Sequence, residues 1–367
     1  IPGDPRTGRP VDVSRSTTYG DPQRDFIEDT AQSLRSRLNY QLNEDWQVRH
    51  TLGLFQLDSD FDNTYLTGYN ATTGLVGRQR WQQDLNTRNL FNTVEVEGNV
   101  STFGIEHTLL TGLEFGEQRR HSLLRNGKNV PGVDLYNPDR GQQHTGEMAI
   151  SSNNHTDVQS RGLYVQDQIR LNDQWQVLAG VRFDQFEVET TNKDGVREPQ
   201  DSNSTSPRLG VVYTPWRDHS FYASWSKTFS PVGGGLIGIT PGLTTNVNDL
   251  SPELTKQKEI GVKSDWFDDR LSTTLAIYDL ELYNRRTTDP NDPTLTVMSG
   301  LQRSRGIELT ATGNLVGNWY MRGGVGMQDA KIEKDNNGLE GKRISNVAKH
   351  NGSLFLTWKP EMGWYGE

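Results

Sequence analysis

The sequence predicts an all-β fold, an antiparallel transmembrane β-barrel with short turns at one end and long loops at the other. Three observations predict it. Apolar and polar residues alternate with period two along thirteen runs, as in strands with one apolar face and one polar face. The connections between these runs alternate between short and long. Three of the short ones end in tryptophan: Leu42-Asn43-Glu44-Asp45-Trp46-Gln47-Val48 returns as Leu171-Asn172-Asp173-Gln174-Trp175-Gln176-Val177, and more loosely as Leu315-Val316-Gly317-Asn318-Trp319. An indole at a strand end suits a border where apolar surface meets water.

The composition bounds this reading. Of 367 residues, 32% are hydrophobic and the mean hydropathy is −0.75. A barrel tolerates such values because half of each strand faces a wet interior and the loops are polar. No run approaches the ~18–20 apolar residues of a membrane helix, which excludes a helical membrane protein. A net charge of −9 argues against nucleic acid as a partner. The absence of cysteine excludes disulfides, zinc–thiolate sites and cysteine nucleophiles. The opening Ile1-Pro2-Gly3-Asp4-Pro5 lacks a basic region followed by an apolar stretch. The sequence therefore reads as a cytoplasmic protein or as a processed or truncated piece.

The runs start near residues 31, 46, 85, 105, 158, 175, 205, 219, 256, 270, 300, 318 and 347. In the first, Leu34, Leu38, Tyr40 and Leu42 oppose Arg35, Arg37, Asn39 and Gln41. Later, Leu163, Val165, Ile169 and Leu171 oppose Tyr164, Gln166, Gln168 and Arg170; Leu209, Val211 and Tyr213 oppose Arg208, Gly210 and Thr214. Ile307, Leu309 and Ala311 oppose Glu308, Thr310 and Thr312, and Leu354, Leu356 and Trp358 oppose Ser353 and Thr357. Asp167 and Phe355 break the rule. Short connections are expected at Asn43–Asp45, Asn99–Gly104, Asn172–Gln174, Trp216–Asp218, Phe267–Asp269 and Val316–Asn318. Long ones are expected near 60–84, 121–157, 191–204, 230–255, 285–298 and 333–346. Soluble sandwiches and propellers also alternate, but they do not place every long loop on one side of thirteen strands.

Several segments resemble the barrel of TonB-dependent outer-membrane siderophore receptors. They are Gly162-Leu163-Tyr164-Val165-Gln166-Asp167-Gln168, Leu178-Ala179-Gly180-Val181-Arg182-Phe183-Asp184, and Ser206-Pro207-Arg208-Leu209-Gly210-Val211-Val212-Tyr213. Further along come Tyr222-Ala223-Ser224-Trp225-Ser226-Lys227-Thr228-Phe229-Ser230-Pro231, Leu250-Ser251-Pro252-Glu253 and Lys258-Glu259-Ile260-Gly261-Val262-Lys263. Arg303-Ser304-Arg305-Gly306-Ile307-Glu308-Leu309 and Asn346-Val347-Ala348-Lys349-His350 complete the order, which spans roughly residues 30–360. The resemblance implies an incomplete barrel, about 13 of 22 strands, with residues 1–367 as a partial barrel domain. The N-terminal plug, the first strands and the last strands would be absent. It also implies a bacterial outer-membrane location, with the tryptophan turns in the periplasm and the long loops outside.

Function follows the same resemblance: import of a ferric siderophore through an outer vestibule, driven by the TonB complex acting on the missing plug. The Phe229-to-Gly238 and Thr296-to-Gly306 stretches resemble catecholate receptors, with hydroxamate the next choice. The expected partners are the siderophore, the TonB complex, and outer-membrane lipid and lipopolysaccharide. No enzyme activity and no resident cofactor are implied, because the iron travels within the siderophore. The alternatives are an importer of another ligand, a passive porin, or a soluble β-rich binding protein.

Anionic, aromatic chelates call for Arg, Lys, Tyr, Trp and His at the outer mouth. Tyr65, Tyr69, Arg78, Arg80 and Trp81 supply that mixture in the first long loop. Arg119, Arg120, His121, Arg125 and Tyr136 supply it at the second, and Tyr283, Arg285 and Arg286 lead into the fifth. Arg119-Arg120-His121 ranks first, as three potential cations ending one strand. Each of these residues taken singly is more often an ordinary rim residue or a contact to lipopolysaccharide phosphate. Pro231-Val232-Gly233-Gly234-Gly235 lacks the Lys-Ser/Thr of a phosphate loop, and Asp289-Pro290-Asn291-Asp292-Pro293 lacks EF-hand spacing. The seven histidines form no ligand pair at helical spacing, and no Gly-x-Ser-x-Gly elbow occurs. Glu95, Glu97, Glu259 and Glu308 read as interior carboxylates meeting arginine on neighbouring strands rather than as acid–base catalysts.

Overall fold

Period-two alternation becomes a single antiparallel meander. The computed structural model describes residues 2–141, 146–230, 251–289 and 296–360. A short hairpin, β1 (Gly3–Asp4) with β2 (Arg9–Pro10), precedes the sheet. The sheet runs through β3 (Phe26–Gln41), β4 (Trp46–Asn70), β5 (Leu75–Thr102), β6 (Ile105–Asp134) and β7 (Met148–Arg170). It continues with β8 (Trp175–Thr191), β9 (Arg197–Trp216), β10 (His219–Ser230) and β11 (Glu253–Trp266). β12 (Leu271–Thr288), β13 (Thr296–Val316), β14 (Trp319–Lys334) and β15 (His350–Trp358) complete it. Each strand pairs with its sequence neighbours, so the thirteen strands stand in chain order. All thirteen predicted runs are present. Among the described residues, β3 and β15 do not pair with each other.

The repeated tryptophan motif has a local cause. Asn43 Oδ1 accepts hydrogen bonds from the amides of Asp45 and Trp46, and Asn172 Oδ1 accepts from Gln174 and Trp175. This Asx turn replaces the ladder bonds that a tight reversal loses. The Leu42 and Leu171 amides then donate to the carbonyls of Trp46 and Trp175 at 2.8 and 3.0 Å, closing the hairpins. The β5–β6 reversal works differently: Phe103 and Gly104 take φ of 53° and 81°, as a two-residue primed turn requires.

Register separates two faces. One rung carries Tyr40, Val48, Val96, Thr111, Val165, Val181 and Pro207 across β3 to β9. On the far side Ile260, Ile277, Ile307 and Met327 stand abreast on β11 to β14. Large residues on this face lie open: Leu38 is 63% exposed, Leu113 62%, Ile260 57% and Met327 57%. Burying side chains from one another does not explain such a face; contact with hydrocarbon does. Trp46, Trp175, Trp216, Trp266, Trp319 and Trp358 edge the apolar face at the short-turn end. Trp175 stacks on Tyr213, and His219 packs edge-on between Trp216 and Trp266. Trp364 lies outside the described residues. From Trp46 to Leu54, from Trp175 to Phe183 and from Trp319 to Met327 the band is about 26 Å along each strand, a height suited to a tilted membrane crossing. The exception Asp167 is paired: its Oδ2 lies 2.8 Å from His107 Nδ1. Phe355 sits on the opposite, polar face, as its parity dictates, and is 65% exposed.

The polar face is cross-braced by tyrosines lying over glycines. Tyr164 on β7 lies over Gly112 on β6, and its hydroxyl donates to Glu95 Oε1 on β5 at 2.7 Å. Tyr278 on β12 lies over Gly306 on β13 and reaches Gln328 Oε1 on β14 at 3.1 Å. Any Cβ at Gly112 or Gly306 would collide with the ring. One ring thus ties three strands together.

The long connections differ from expectation. The 60–84 stretch holds only the reversal 71–74, because β4 and β5 continue through it. Likewise 191–204 contains only the turn 192–196, and 121–157 shrinks to 135–147. With 30 residues, β6 spans about 100 Å, so these hairpins stand far beyond the apolar band. The 231–250 part of the fourth connection lies outside the described residues, as do Pro231–Gly235 and all but Asp289 of the Asp-Pro pair.

Residues 2–25 cap the tops of β4 to β6. Tyr19, Val76, Val133 and Leu135 form a buried cluster joined by Val11, Val13 and Tyr69. The Tyr19 hydroxyl donates to the Leu135 carbonyl at 2.9 Å, and Asp25 Oδ1 accepts from the Thr64 amide at 2.8 Å.

Candidate functional site: the polar face and its outer end

Alternation decides which predicted residues can act together. Arg49, Glu95, Gly112, Tyr164, Arg182 and Ser206 occupy one rung of the polar face. Arg49 pairs with Glu95 and Glu97, and Arg182 with Glu114 and Asp184. Tyr222 donates to Glu259 at 2.6 Å. The interior carboxylates Glu95, Glu97 and Glu259 therefore meet arginine or tyrosine, and no two of them are set as an acid–base couple. A groove on this face is lined by Tyr164, Arg182, Arg208, Ser224, Gln257 and Glu259. Among the described residues, Asn63 Nδ2, Thr93 Oγ1 and Gln200 Nε2 are shielded yet lack hydrogen-bond partners, and all three side chains sit on the polar face.

The predicted triplet Arg119-Arg120-His121 divides. Arg120 shares the polar face with Tyr164, whereas Arg119 and His121 continue the face of Leu113. Arg119 pairs with Glu117, and His121 stacks on His155 with ring centres 4.1 Å apart. The three cations do not converge, because neighbours in a strand point apart.

The first group also separates. Arg78 is 6% exposed and serves the cap, with Nε donating to the Pro131 carbonyl at 2.8 Å. Arg80 locks onto Asp62, on the face that carries the apolar band lower down. Trp81 and Tyr65 fall on the polar face: Trp81 stands opposite Asn63, with Tyr65 two residues beyond. All four lie in strands, not in a loop. Arg125 sits in β6 and pairs with Asp84 at 2.8 Å. Tyr136, between β6 and β7, is 72% exposed. Tyr283 faces Lys256, whose Nζ lies 4.6 Å from its ring centre, and Arg285 approaches Glu253 at 3.8 Å. Arg286 lies in β12 opposite Met298. Sequence reasoning missed the Tyr-over-Gly braces; their signal is a glycine opposite a tyrosine, which only a register reveals.

The family model for the β-barrel of TonB-dependent receptors matches residues 2–366. The chain belongs to the TonB-dependent receptor β-barrel family. As such it is an outer-membrane barrel protein, with the apolar face outward and the polar face toward the interior. The metal-pseudopaline receptor CntO of Pseudomonas aeruginosa is 30% identical over 370 residues, covering 96% of this chain and 50% of that protein. The catecholate siderophore receptor Fiu of Escherichia coli K12 is 23% identical over 372 residues, covering 92% and 47%. The crystal structure of the siderophore receptor PiuA from Acinetobacter baumannii superposes with a TM-score of 0.86 at 22% identity, covering 95% of this chain and 55% of that one. Fiu in its closed form gives 0.82 at 20% identity, covering 95% and 54%. The chain thus spans about half the length of the relatives it matches.

Proposed function

We propose that the complete protein imports a ferric siderophore across the outer membrane, with catecholates first and hydroxamates next. The observation that carries this reading is the family membership, joined to relatives named as siderophore receptors among both sequences and structures. Its energy would come through TonB acting on a plug inside the barrel, and shielded unpartnered groups such as Gln200 Nε2 suit an interior filled by protein. The ligand would meet Tyr65, Trp81 and Arg120, which share the inward face beyond the apolar band. Aromatic rings and a guanidinium there suit an anionic chelate through stacking and charge-assisted hydrogen bonds. Arg119, Arg80, Arg78 and His121 are engaged elsewhere and drop from the ligand set. The barrel performs no bond chemistry, and the iron arrives within its chelate.

A second reading has its own support: the 30% identical relative is named a metal-pseudopaline receptor, so the cargo could be another metal chelate. Growth assays separate the two. A strain lacking the complete receptor is complemented and supplied with one ferric catecholate, ferric hydroxamate or metal–pseudopaline at a time. Growth on a ferric catecholate is expected, reduced about tenfold in uptake rate by Arg120→Gln or Trp81→Ala and unchanged by Arg119→Gln. Growth on metal–pseudopaline alone rejects the siderophore assignment in favour of the second reading.

A further inference from the structure

We propose that Asn337-Gly338, in the connection between β14 and β15, is a site of spontaneous deamidation whose conversion releases this connection from the tops of β12 and β13. Three Asn-Gly pairs occur in the chain: Asn126-Gly127, Asn337-Gly338 and Asn351-Gly352. The chemistry is the same at each. The glycine amide nitrogen gives its proton to solvent base and attacks the asparagine Cγ. The Cγ–Nδ2 bond breaks, ammonia leaves and a cyclic succinimide remains. Water then opens the ring at either carbonyl, giving aspartate or isoaspartate, with no oxidant or cofactor needed. Glycine favours the closure because it has no Cβ to obstruct the attack.

The structure separates the three. Asn126 lies within β6, opposite Trp81 and Ala149, and Asn351 lies within β15, opposite Gly326. Ring closure turns the peptide plane out of an extended strand, so at these two the ladder must open first. Asn337 and Gly338 are exposed and lie outside the strands. Asp335 Oδ2 accepts the amides of Asn337 at 2.7 Å and Leu339 at 3.3 Å, and passes over the Gly338 amide between them. Among the described residues the Gly338 amide makes no hydrogen bond, and a Cβ added to Gly338 would meet nothing within 4 Å. The attacking nitrogen is therefore uncovered beside its target. That target also holds the turn in place. Asn337 Nδ2 donates to Thr287 Oγ1 at 3.5 Å and to Asp335 Oδ1 at 3.4 Å. Thr287, buried on β12, donates to Asp335 Oδ1 at 3.2 Å and accepts the Asn336 amide at 2.8 Å, and Asn336 Nδ2 reaches Ser299 on β13 at 3.2 Å. Deamidation removes both Nδ2 hydrogen bonds and sets a second carboxylate beside Asp335, a repulsion at short range. Isoaspartate also adds a backbone methylene between the two amides that Asp335 clamps, so the clamp cannot hold both.

Peptide mass spectrometry of the complete receptor tests it, after ageing in detergent at mildly alkaline pH and pepsin digestion in acid to halt conversion. Asn337 should convert about tenfold faster than Asn126 and Asn351, with isoaspartate among the products. In urea that margin should largely vanish. Hydrogen exchange should show residues 335–340 opening in the aged fraction while β13 and β14 stay protected, and Asn337→Asp should show the same opening without ageing. The aged wild-type fraction serves if that variant does not fold. Equal conversion at the three positions, or a margin that persists in urea, overturns the proposal. Unchanged exchange at 335–340 after conversion also overturns it, since the turn would then not depend on the amide. Siderophore uptake is not read here, so failure leaves the import reading untouched.

Discussion

At the scale of single residues, this chain's polar face is organised by aromatic rings laid over glycines. Gly112 is not simply small; the Tyr164 ring occupies the space a side chain would take, and the hydroxyl crosses a whole strand to Glu95. Gly112→Val should displace the ring and leave Glu95 with one donor fewer, a loss of about 2 kcal/mol from overpacking and a broken charged hydrogen bond. Urea unfolding of the complete receptor in lipid vesicles measures it, with Gly53→Ala as control, since a Cβ at Gly53 meets only ordinary contact at 3.7 Å. The Asx turns make a second case. Asn172→Ala removes an acceptor shared by two amides and should cost about 1 kcal/mol in the same assay. Asn172→Asp, which keeps the acceptor, should cost less than half of that; an equal cost would refute the capping role.

At the scale of elements, the outer hairpins are where sequence and structure part. The strand count and the tryptophan-edged turns were legible, because hydrocarbon on one side and water on the other impose strict alternation. Above the band both faces are wet. Alternation fades, so 60–84 looks like a loop although Asp62 stands opposite Gln82, Thr64 opposite Arg80, and Arg80 reaches diagonally to Asp62 within it. The same fading hides the division of Arg119-Arg120-His121, because parity along β6, not composition, decides which of the three share a face. The role of Arg78 was illegible for another reason: it depends on residues 2–25, which carry no alternation of their own. That cap offers a pH test. Burial pushes the Tyr19 hydroxyl up, and Asp134 and Tyr136 add to the shift. The folded state therefore favours the neutral phenol. Docking should be constant below about pH 10, where the unfolded phenol begins to ionise, and should weaken as pH rises toward the higher folded value. Protease susceptibility of residues 2–25 reports it. Tyr19→Phe should abolish the alkaline loss while loosening the cap at all pH values.

At the scale of the whole molecule, the decisive property is the direction of the two edge strands. β3 runs from the long-hairpin end at Phe26 to the short-turn end at Gln41, and β15 runs the same way from His350 to Trp358. Twelve antiparallel steps return the chain to its starting direction, so β3 and β15 could meet only as a parallel pair. Antiparallel closure needs an odd number of further strands, and the 22 implied by the resemblance would supply nine. Edge amides and carbonyls cannot be left in hydrocarbon, where each unsatisfied group costs several kcal/mol. Residues 1–367 expressed alone in an outer membrane should therefore fail to give the fast-migrating, heat-modifiable band of a closed barrel, whereas the complete receptor should give it. The edge, not poor packing, is the expected cause. Within the isolated chain, hydrogen exchange should be fast in β3 and β15 and slow in β6 and β7, which have a partner on each side. A heat-modifiable barrel formed by these residues alone would show that β3 and β15 close on each other, and would overturn the argument from strand direction.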